Sequence, residues 1–476
     1  MPNPSPSRGL SRRRFLQVTA LAGLAPALAE AASPAAETRL RLRAETLPLR
    51  LGTPGQPESR MARLVPVDSP SSGMAVLRAR EGEPFTLEIE NRLDQPTSFH
   101  LRGLRGLNTE DGVPGLTGAP IPPGGTGLLR VPARQSGTFI LSPSLASHVA
   151  EQNARGLHGA LIVEERTRPE FDIDEVLAVS DWRLDDQGRL AEDFNSRRDA
   201  ARVGRLGNRL TANGAPAPGS RMVRPNARMR IRMINTSNAR MIPLKVSGFS
   251  AEVFAIDSTP CQPFDPLKRT VMLAPGSRIE LVLQAAPQAG QSGAIEAKIG
   301  EGIPIFTYRT EGEPLPPPGR TATLPDPGLP PAIRLQDAVR TELSITGGAG
   351  TQPADADPAV LARLFPDAGQ IFRLNDGKVG GFGGKPLVSL RRGRVLVLAL
   401  ANRTAWPQVV AVHGHAFRLL HAYDDGWEPY FLDTLYLAPG TVARVALIAD
   451  NPGRWAIRST IAEHFAAGMA TWFEVT

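Results

Sequence analysis

Residues Phe85-Thr86-Leu87-Glu88-Ile89-Glu90-Asn91 alternate between apolar and polar with a period of two, and this pattern predicts an all-β fold. This period places successive side chains on opposite faces of a β-strand, one toward a core and one toward water. The same alternation occurs at Met229–Met233 and in the longer segment Thr38–Leu51. Val395–Leu400 is a continuous apolar run, which is typical of a strand that is buried on both faces.

A larger pattern that includes this strand occurs three times along the chain. Each copy has a strand that ends in asparagine, a polar turn, a second strand and a later Pro-Gly turn that opens a further strand. The asparagines and their Pro-Gly turns are Asn91 with Pro123-Gly124, Asn235 with Pro275-Gly276, and Asn402 with Pro439-Gly440. Their spacing is too irregular for a solenoid and indicates three homologous β-sandwich domains.

We therefore predict an all-β protein with a first domain at 38–166, a second at 167–310 and a third at 336–476. The proline-rich segment 311–335 is interpreted as a stiff, extended linker. The 46 glycines and 45 prolines of the 476 residues argue against a helical bundle or coiled coil. Short helices are predicted only within Asp185–Ala200 and Asp357–Leu364.

The single cysteine, Cys261, excludes an internal disulfide framework and any site that needs several thiolates. We interpret it as an isolated cysteine in a turn of the second domain.

The N-terminus carries an export pattern. Ser11–Gln17 matches the twin-arginine consensus S-R-R-x-F-L-[KQ], and its defining residues are Arg12, Arg13, Phe15 and Leu16. The apolar run Val18–Leu28 that follows is too short to span a membrane, and a small-residue cleavage site ends at Ala29. Residues 1–29 are therefore predicted to be a signal peptide. The mature chain is expected in the periplasm, exported in a folded state and without an integral membrane segment.

The net charge of +7 belongs mostly to that signal peptide. Residues 1–29 contain four arginines and no acidic residue, so the mature chain keeps only +3. A charge this small over so long a chain gives no reason to expect nucleic-acid binding.

Five further motifs carry a resemblance to the three-domain multicopper oxidases. Phe99–Leu104 stands where that family has H-W-H-G, and Asp111–Thr117 matches D-G-V-P-G-x-T. Gly156–Val163, Val412–Phe417 and Glu463–Met469 resemble G-L-x-G-x-L-I-V, L-H-G-H-x-F and E-H-x-x-A-G-M. The resemblance implies that the three domains are cupredoxin-like Greek-key β-sandwiches.

That family binds four copper ions through ten histidines and one cysteine, often with an axial methionine, whereas this chain has seven histidines. The resemblance implies that four ligand positions are retained: His100, His413, His464 and Met469. It implies that the other aligned positions are replaced: Arg102, Ser142, Ser144, Gln408, Ala411, Arg458, Ser459 and Thr460. We therefore predict no catalytic residue, no bound metal and no cofactor.

Two of the replacements are arginines, which offer donors and positive charge but no lone pair for a metal. We predict that Arg102 and Arg458 lie near each other at the interface of the first and third domains. Acidic groups or carbonyls are expected to pair with them, and Asp111 and Glu463 are the candidate partners.

By its resemblance to the copper-free, periplasmic cell-division member of that superfamily, the chain is predicted to be a non-catalytic scaffold or stabilising partner. Its expected partners are periplasmic or envelope proteins, divisome components among them, and the chain itself is expected to be monomeric. The alternative is an oxidase with a remodelled copper site, for which copper would be the cofactor. A sugar-binding module is disfavoured, since aromatic residues make up only 5% of the chain. A new mononuclear metal site is left open, since His148, His158, His415 and His421 have no assigned role.

Overall fold

The computed structural model describes residues 38–476 except 69–72, 318, 320–322, 376 and 425. The export motif with Arg12, Arg13, Phe15 and Leu16 lies outside the described residues. Six β-sheets, arranged as three pairs, form the described chain, which confirms the all-β prediction. Among the described residues, no helix has the length and apolar character needed to cross a bilayer.

The first pair of sheets encloses an apolar core that includes Leu42, Leu87, Phe139 and Leu161. Its strands are β1 (Thr38–Leu49), β2 (Ser59–Pro66), β3 (Ala75–Arg80), β4 (Phe85–Asn91), β5 (Phe99–Arg102), β6 (Thr126–Val131), β7 (Gly137–Pro143) and β8 (Gly159–Glu164). A 3-10 turn, Asn108–Glu110, follows β5, and helix α1, Val149–Ala154, precedes β8. The strand orders are β2-β1-β4-β6 and β3-β8-β7-β5.

The second pair of sheets packs around Val179, Ile231, Leu281 and Phe306. Its elements are β9 (Ile173–Trp182), α2 (Arg197–Ala200), β10 (Arg209–Ala212), β11 (Ala215–Pro216), β12 (Gly219–Val223), β13 (Arg228–Asn235), β14 (Ile242–Ser247), β15 (Ser250–Ile256), β16 (Thr259–Phe264), a 3-10 turn (Leu267–Arg269), β17 (Thr270–Leu273), β18 (Arg278–Gln284), β19 (Ser292–Ala297) and β20 (Ile303–Thr310). The strand orders are β11-β10-β9-β13-β18-β15-β16 and β12-β20-β19-β14-β17.

The third pair of sheets packs around Leu398, Val410, Trp455 and Phe473. Its elements are β21 (Val339–Gly347), 3-10 turns (Pro353–Ala356 and Ala368–Gln370), α3 (Pro358–Leu364), β22 (Phe372–Leu374), β23 (Lys378–Val379), β24 (Ser389–Leu390), β25 (Val395–Asn402), β26 (Gln408–Val412), β27 (Phe417–Leu419), β28 (Thr434–Leu437), β29 (Val442–Ile448), β30 (Gly453–Ser459), α4 (Ala462–Ala466) and β31 (Ala470–Val475). The strand orders are β23-β22-β21-β25-β29-β27 and β24-β31-β30-β26-β28.

The three repeated asparagines perform the same structural task in each pair of sheets. Asn91, Asn235 and Asn402 end β4, β13 and β25, and their Oδ1 atoms accept hydrogen bonds from the backbone N–H two residues later. Their Nδ2 groups donate to carbonyl oxygens of the turns beyond, such as Ile121 for Asn91. Each buried amide therefore ties a strand end to the Pro-Gly turn region, which explains why the pattern recurs.

The predicted helix at Asp357–Leu364 is confirmed, since α3 begins at Pro358 and the Asp357 carboxylate accepts from two backbone N–H groups of its first turn. The predicted helix at Asp185–Ala200 is wrong except for its last four residues, which form α2. The Asp185 carboxylate instead accepts from the backbone N–H groups of Gln187 and Arg189 and closes a tight turn.

The described part of segment 311–335 contains no strand or helix. Leu324 packs on Phe254 and Val282, whereas Ile333 packs on Val397. The segment thus lies against the second and third pairs of sheets.

Contacts between the first and third pairs of sheets hold the candidate site together. Asn108 accepts from the backbone N–H of Arg454 at 3.1 Å, and Asn451 donates to the carbonyl of Gly106 at 3.0 Å. Helices α1 and α4 pack through Val149 and Phe465.

Candidate functional site at the junction of the first and third domains

The site is assembled from short elements of the first and third domains. His100 and Arg102 lie on β5, and Asp111 follows the 3-10 turn Asn108–Glu110. His413 directly follows β26, and Arg458 lies on the neighbouring strand β30. All five side chains are buried, so any polar atom among them that lacks a hydrogen-bond partner costs free energy.

Asp111 binds both histidines of the site. Its Oδ2 atom lies 2.9 Å from Nδ1 of His413. Nδ1 of His100 lies 2.9 Å from the backbone carbonyl oxygen of Asp111 and 3.2 Å from its Oδ1 atom. The two imidazole rings stack with centroids 3.8 Å apart and planes 8° from parallel. Burial opposes the ionisation of Asp111, but its interactions with His413 and His100 outweigh that cost and lower the pKa of the carboxyl. Asp111 is therefore a carboxylate that accepts the N–H of His413, and it shares the N–H of His100 with its own backbone carbonyl.

The other ring nitrogen of His413 accepts a hydrogen bond from an arginine. Nε of Arg458 lies 3.1 Å from Nε2 of His413. Burial, together with the neighbouring His100, lowers the pKa of His413 to about 3, so the ring is neutral at pH 7. A neutral ring that donates from Nδ1 to Asp111 has its lone pair on Nε2, where Arg458 donates.

Arg102 and Arg458 lie near each other, as predicted, and both line one cavity of about 30 Å³. Burial and the positive charge of Arg102 lower the pKa of Arg458. The pKa of Arg102 falls to about 10 through burial and the nearby Arg278, which leaves this guanidinium charged at pH 7.

The predicted acidic partners of these arginines are wrong. Asp111 binds the histidines, and Glu463 accepts from Nδ2 of Asn238. Among the described residues, Nε and Nη1 of Arg102 and Nη2 of Arg458 have no hydrogen-bond partner.

Four further replaced positions, Ser142, Ser144, Ala411 and Thr460, are buried. Ser142 and Thr460 line the same cavity, and Ser144 lies just beyond β7 with its backbone N–H bonded to the carbonyl of Ser98. Ala411 lies on β26 opposite Arg458 of β30.

Gln408 and His464 form a second polar group in the third domain. Met469 and Ser459 are joined to it through the backbone, since the N–H of Met469 donates to the carbonyl of His464 and the N–H of Ser459 donates to the carbonyl of Met469. Nδ1 of His464 lies 2.9 Å from Oε1 of Gln408, and Nε2 lies 2.8 Å from the carbonyl oxygen of Arg202. Burial lowers the pKa of His464 to about 4. The Ser459 hydroxyl accepts from the backbone N–H of Ile461 at 3.1 Å, and Met469 packs in the apolar core. Both ring nitrogens of His464 thus contact protein oxygen atoms.

Asp111 binds none of the other four histidines, although Nδ1 of His415 lies 3.2 Å from the carbonyl oxygen of His413. His415 packs edge-on against Trp455, and His421 binds Asp424 on the surface at 3.0 Å. His148 precedes α1 and contacts the hydroxyl of Ser147, whereas His158 lines the cavity of Arg102.

The cysteine lies far along the chain from these motifs, in the second pair of sheets. Cys261 lies on β16 rather than in a turn, so that part of its interpretation is wrong. Burial raises the pKa of its thiol to about 12.

The donor set does not fit the copper ions of the resembled family. Copper binds through imidazole lone pairs, and a blue copper site also needs a thiolate. Arg458 donates to the lone pair of His413, both nitrogens of His464 contact oxygen atoms, and Ser459 stands at the thiolate position. Arginine charges beside the cavity add electrostatic repulsion toward any cation.

Two residues that line the cavity, His158 and Ser237, are not predicted as site residues from the sequence. His158 occupies the variable position of the G-L-x-G pattern, and Ser237 follows the second repeated asparagine. Neither residue type nor spacing distinguished them, because the fold brings them to the cavity from distant parts of the chain.

Comparisons with known proteins agree with this fold. Three family models described as multicopper oxidase match residues 60–168, 174–304 and 353–476. Laccase-1 of Cryptococcus neoformans is 26% identical over 83% of this chain and 74% of its own length. Multicopper oxidase MmcO of Mycobacterium tuberculosis is 25% identical over 83% of this chain and 80% of its own. A multi-copper oxidase structure from Pseudomonas thermotolerans has a TM-score of 0.79 and 26% identity, and the match covers 93% of this chain and all of that one.

Proposed function

The chain belongs to the multicopper oxidase family, and from the chemistry of its site we propose that it is a copper-free, non-catalytic member of that family. The observation that carries this proposal is the hydrogen bond from Nε of Arg458 to Nε2 of His413, 3.1 Å long. A ring nitrogen that accepts a hydrogen bond has no lone pair left for copper. The arginine thus takes the place that a metal ion would occupy on this histidine.

Two features of the second polar group support the same conclusion. His464 keeps both ring nitrogens against protein oxygen atoms, and the neighbouring serine hydroxyl of Ser459 accepts a backbone hydrogen bond. Electron transfer through a blue copper centre needs a copper-bound thiolate, and the only cysteine has its thiol pKa raised to about 12. No electron path of that kind is available through these residues.

A protein that keeps this fold without copper ions still presents large surfaces to other proteins, and this supports a role in protein binding. We propose that the chain acts in the periplasm as a scaffold or stabilising partner of envelope proteins. The twin-arginine pattern around Arg12 and Arg13 supports export of the folded chain. The cell-division machinery is the assembly to test first, because the resemblance to a copper-free division protein suggests it.

A second candidate function rests on a different observation. His100, Asp111 and His413 offer ligand atoms that all lie within 4.8 Å of one another, a spacing that suits one metal ion. In that case the chain would be an oxidase with a remodelled, mononuclear copper site. Copper would have to displace Arg458 from His413 and the imidazole N–H groups from Asp111.

Metal analysis of the exported protein separates the two functions. The chain is produced with its own signal in copper-replete medium, purified from the periplasm, and its copper content and phenol-oxidising activity are measured. We expect less than a tenth of an equivalent of copper and no activity. One or more equivalents of copper together with activity would support the oxidase and contradict the scaffold. An Arg12→Lys, Arg13→Lys double variant, expected to remain in the cytoplasm, tests the route.

Partner capture tests the scaffold role itself. In-cell crosslinking followed by purification of the mature chain is expected to recover defined envelope proteins. The control is the related oxidase from Pseudomonas thermotolerans expressed in the same host, which shares the fold. Identical sets of captured proteins would contradict a specific scaffold.

A further inference from the structure

The cavity where residues of all three domains meet is lined by polar side chains that lack partners. Arg102, Ser142, His158, Ser237, Arg458 and Thr460 line it. Each of the six has at least one buried nitrogen or oxygen atom with no hydrogen-bond partner among the described residues. All six side chains are more than nine-tenths buried. Unsatisfied buried polar atoms are rare in folded proteins, and six around one cavity indicate that something else satisfies them.

The charge of the cavity identifies the kind of occupant. Two guanidinium groups, Arg102 and Arg458, face the cavity, and no carboxylate is among the described residues that line it. The carboxylates that act on these two arginines have other partners, since Asp111 contacts two histidines and both Asp433 and Asp257 are paired with Arg278. Burying two positive charges without a carboxylate in the same cavity raises the free energy of the folded state, and water in the cavity removes only part of that cost. An anion removes it directly.

The size of the cavity limits the anion to a small one. Its volume of about 30 Å³ exceeds the roughly 10–15 Å³ that one water needs. It lies far below the roughly 300 Å³ of pockets that hold organic ligands. The planar fork of a guanidinium matches two oxygens of an oxyanion, and hydroxyl groups supply further donors.

We propose that this cavity binds one small inorganic oxyanion, of the phosphate, sulfate or carbonate class, between Arg102 and Arg458. Ser142 and Thr460 complete the site as hydroxyl donors. Four of these lining residues stand at positions that the family uses for copper ligands. Because two of them are arginines and two carry hydroxyl groups, the pocket favours an anion over a cation. The proposal rests on the proposed copper-free state, since an ion cluster in the same place would exclude the anion.

The site predicts a specific thermal response. Wild-type protein is dialysed into a chloride buffer, and sodium phosphate, sulfate or bicarbonate is added with sodium chloride of equal ionic strength as reference. We expect at least one oxyanion to raise the melting temperature saturably by about 2–4 °C above the chloride reference. An Arg102→Gln variant is expected to need at least ten times more oxyanion for the same rise. Arg391→Gln removes the same charge from an exposed position and is expected to respond like wild type.

Three outcomes would overturn the proposal. These are a rise no larger than that with chloride, an equal rise in Arg102→Gln, or a loss of response in Arg391→Gln. If Arg102→Gln does not fold, equilibrium dialysis of wild-type protein against radiolabelled phosphate and sulfate and labelled bicarbonate decides the question. One bound oxyanion per chain supports the site, and no binding of any of the three overturns it. Copper is measured on the same samples. Copper-free protein without an oxyanion response contradicts this site alone, whereas copper-loaded protein contradicts the proposed function first.

Discussion

Arg458 donates its Nε–H to Nε2 of His413 over 3.1 Å, and the same imidazole donates from Nδ1 to Asp111 at 2.9 Å. Both ring nitrogens of His413 therefore have a hydrogen-bond partner, one from the first domain and one from the third. Arg458 is 1% exposed and packs over the ring of Phe465, so it has no room to leave the histidine by a simple rotamer change. His413, which stands at a metal-ligand position of the family, instead links Asp111 of the first domain to Arg458 of the third.

Removing that arginine is expected to increase metal affinity. In Arg458→Ala, the lone pair on Nε2 of His413 is released and one positive charge leaves the cavity. We expect Cu(II) to bind the variant at least about tenfold more tightly than it binds wild type, which corresponds to about 1.4 kcal/mol. Isothermal titration with Cu(II) measures both affinities.

The control for this titration is the double variant Arg458→Ala, His413→Gln, which lacks the arginine and also the ring. It is expected to bind copper no better than wild type does. Equal copper affinity of wild type and Arg458→Ala would show that the hydrogen bond does not govern metal exclusion.

Asp111 is expected to be a large contributor to stability. Its carboxylate accepts from His413 and lies 3.2 Å from Nδ1 of His100, which also faces the backbone carbonyl of Asp111. The amide introduced by Asp111→Asn would remove the negative charge and present an N–H donor to one of these two imidazole N–H groups. Breaking a buried charged contact of this kind costs about 3 kcal/mol. Denaturant unfolding of Asp111→Asn is therefore expected to show a correspondingly lower free energy of unfolding.

A matched control exists on the surface. Asp424 binds Nδ1 of His421 at 3.0 Å, but its side chain is 67% exposed. Asp424→Asn is expected to leave the unfolding midpoint unchanged, because water replaces the lost contact. If both substitutions lowered the free energy of unfolding equally, burial of the Asp111–His413 contact would contribute nothing to stability.

The repeated asparagines give a prediction for the fold itself. Nδ2 of Asn402 lies within hydrogen-bonding distance of the carbonyls of Trp406, Leu437 and Ala438, and Oδ1 accepts from the backbone N–H of Thr404. Asn402→Ala leaves these buried groups without partners and is expected to lower the free energy of unfolding by about 3 kcal/mol. Asn402→Asp keeps the shape but turns a donor into an acceptor. We expect it to unfold at least as easily as the alanine variant, and a milder effect would contradict this account.

The structure can be predicted from the sequence where one residue type performs one local task, such as ending a strand or beginning a helix. The asparagines were visible because each is followed by a Pro-Gly turn, and α3 was visible because Asp357 precedes Pro358. The placement of Arg102 and Arg458 at one junction followed from family motifs. Their partners did not, because an imidazole nitrogen can accept an arginine N–H as well as a carboxylate can. The Asp111–His413 contact joins residues 302 positions apart, and no local pattern indicates it.

Buried neutral histidines make the stability of the chain dependent on pH. Burial lowers the pKa of His413 to about 3 and the pKa of His158, His415 and His464 to about 4. Unfolded histidines titrate near pH 6.5, so below that pH the unfolded chain binds more protons than the folded chain. Each histidine therefore lowers the free energy of unfolding by up to about 1.4 kcal/mol per pH unit between pH 6.5 and its folded pKa.

Three buried carboxyls act in the opposite direction. Burial and the neighbouring Asp433 raise the pKa of Asp257 to about 7, and burial raises the pKa of Asp181 and of Glu463. These groups favour the folded state as pH falls, but four histidines outnumber them. Denaturant unfolding at pH 7, 6 and 5 is therefore expected to show falling stability toward acid. His464→Gln removes one titrating ring and is expected to reduce the slope. A stability that stays level or increases from pH 7 to pH 5 would contradict the assignment of these rings as neutral, because protonation would then cost the folded state nothing.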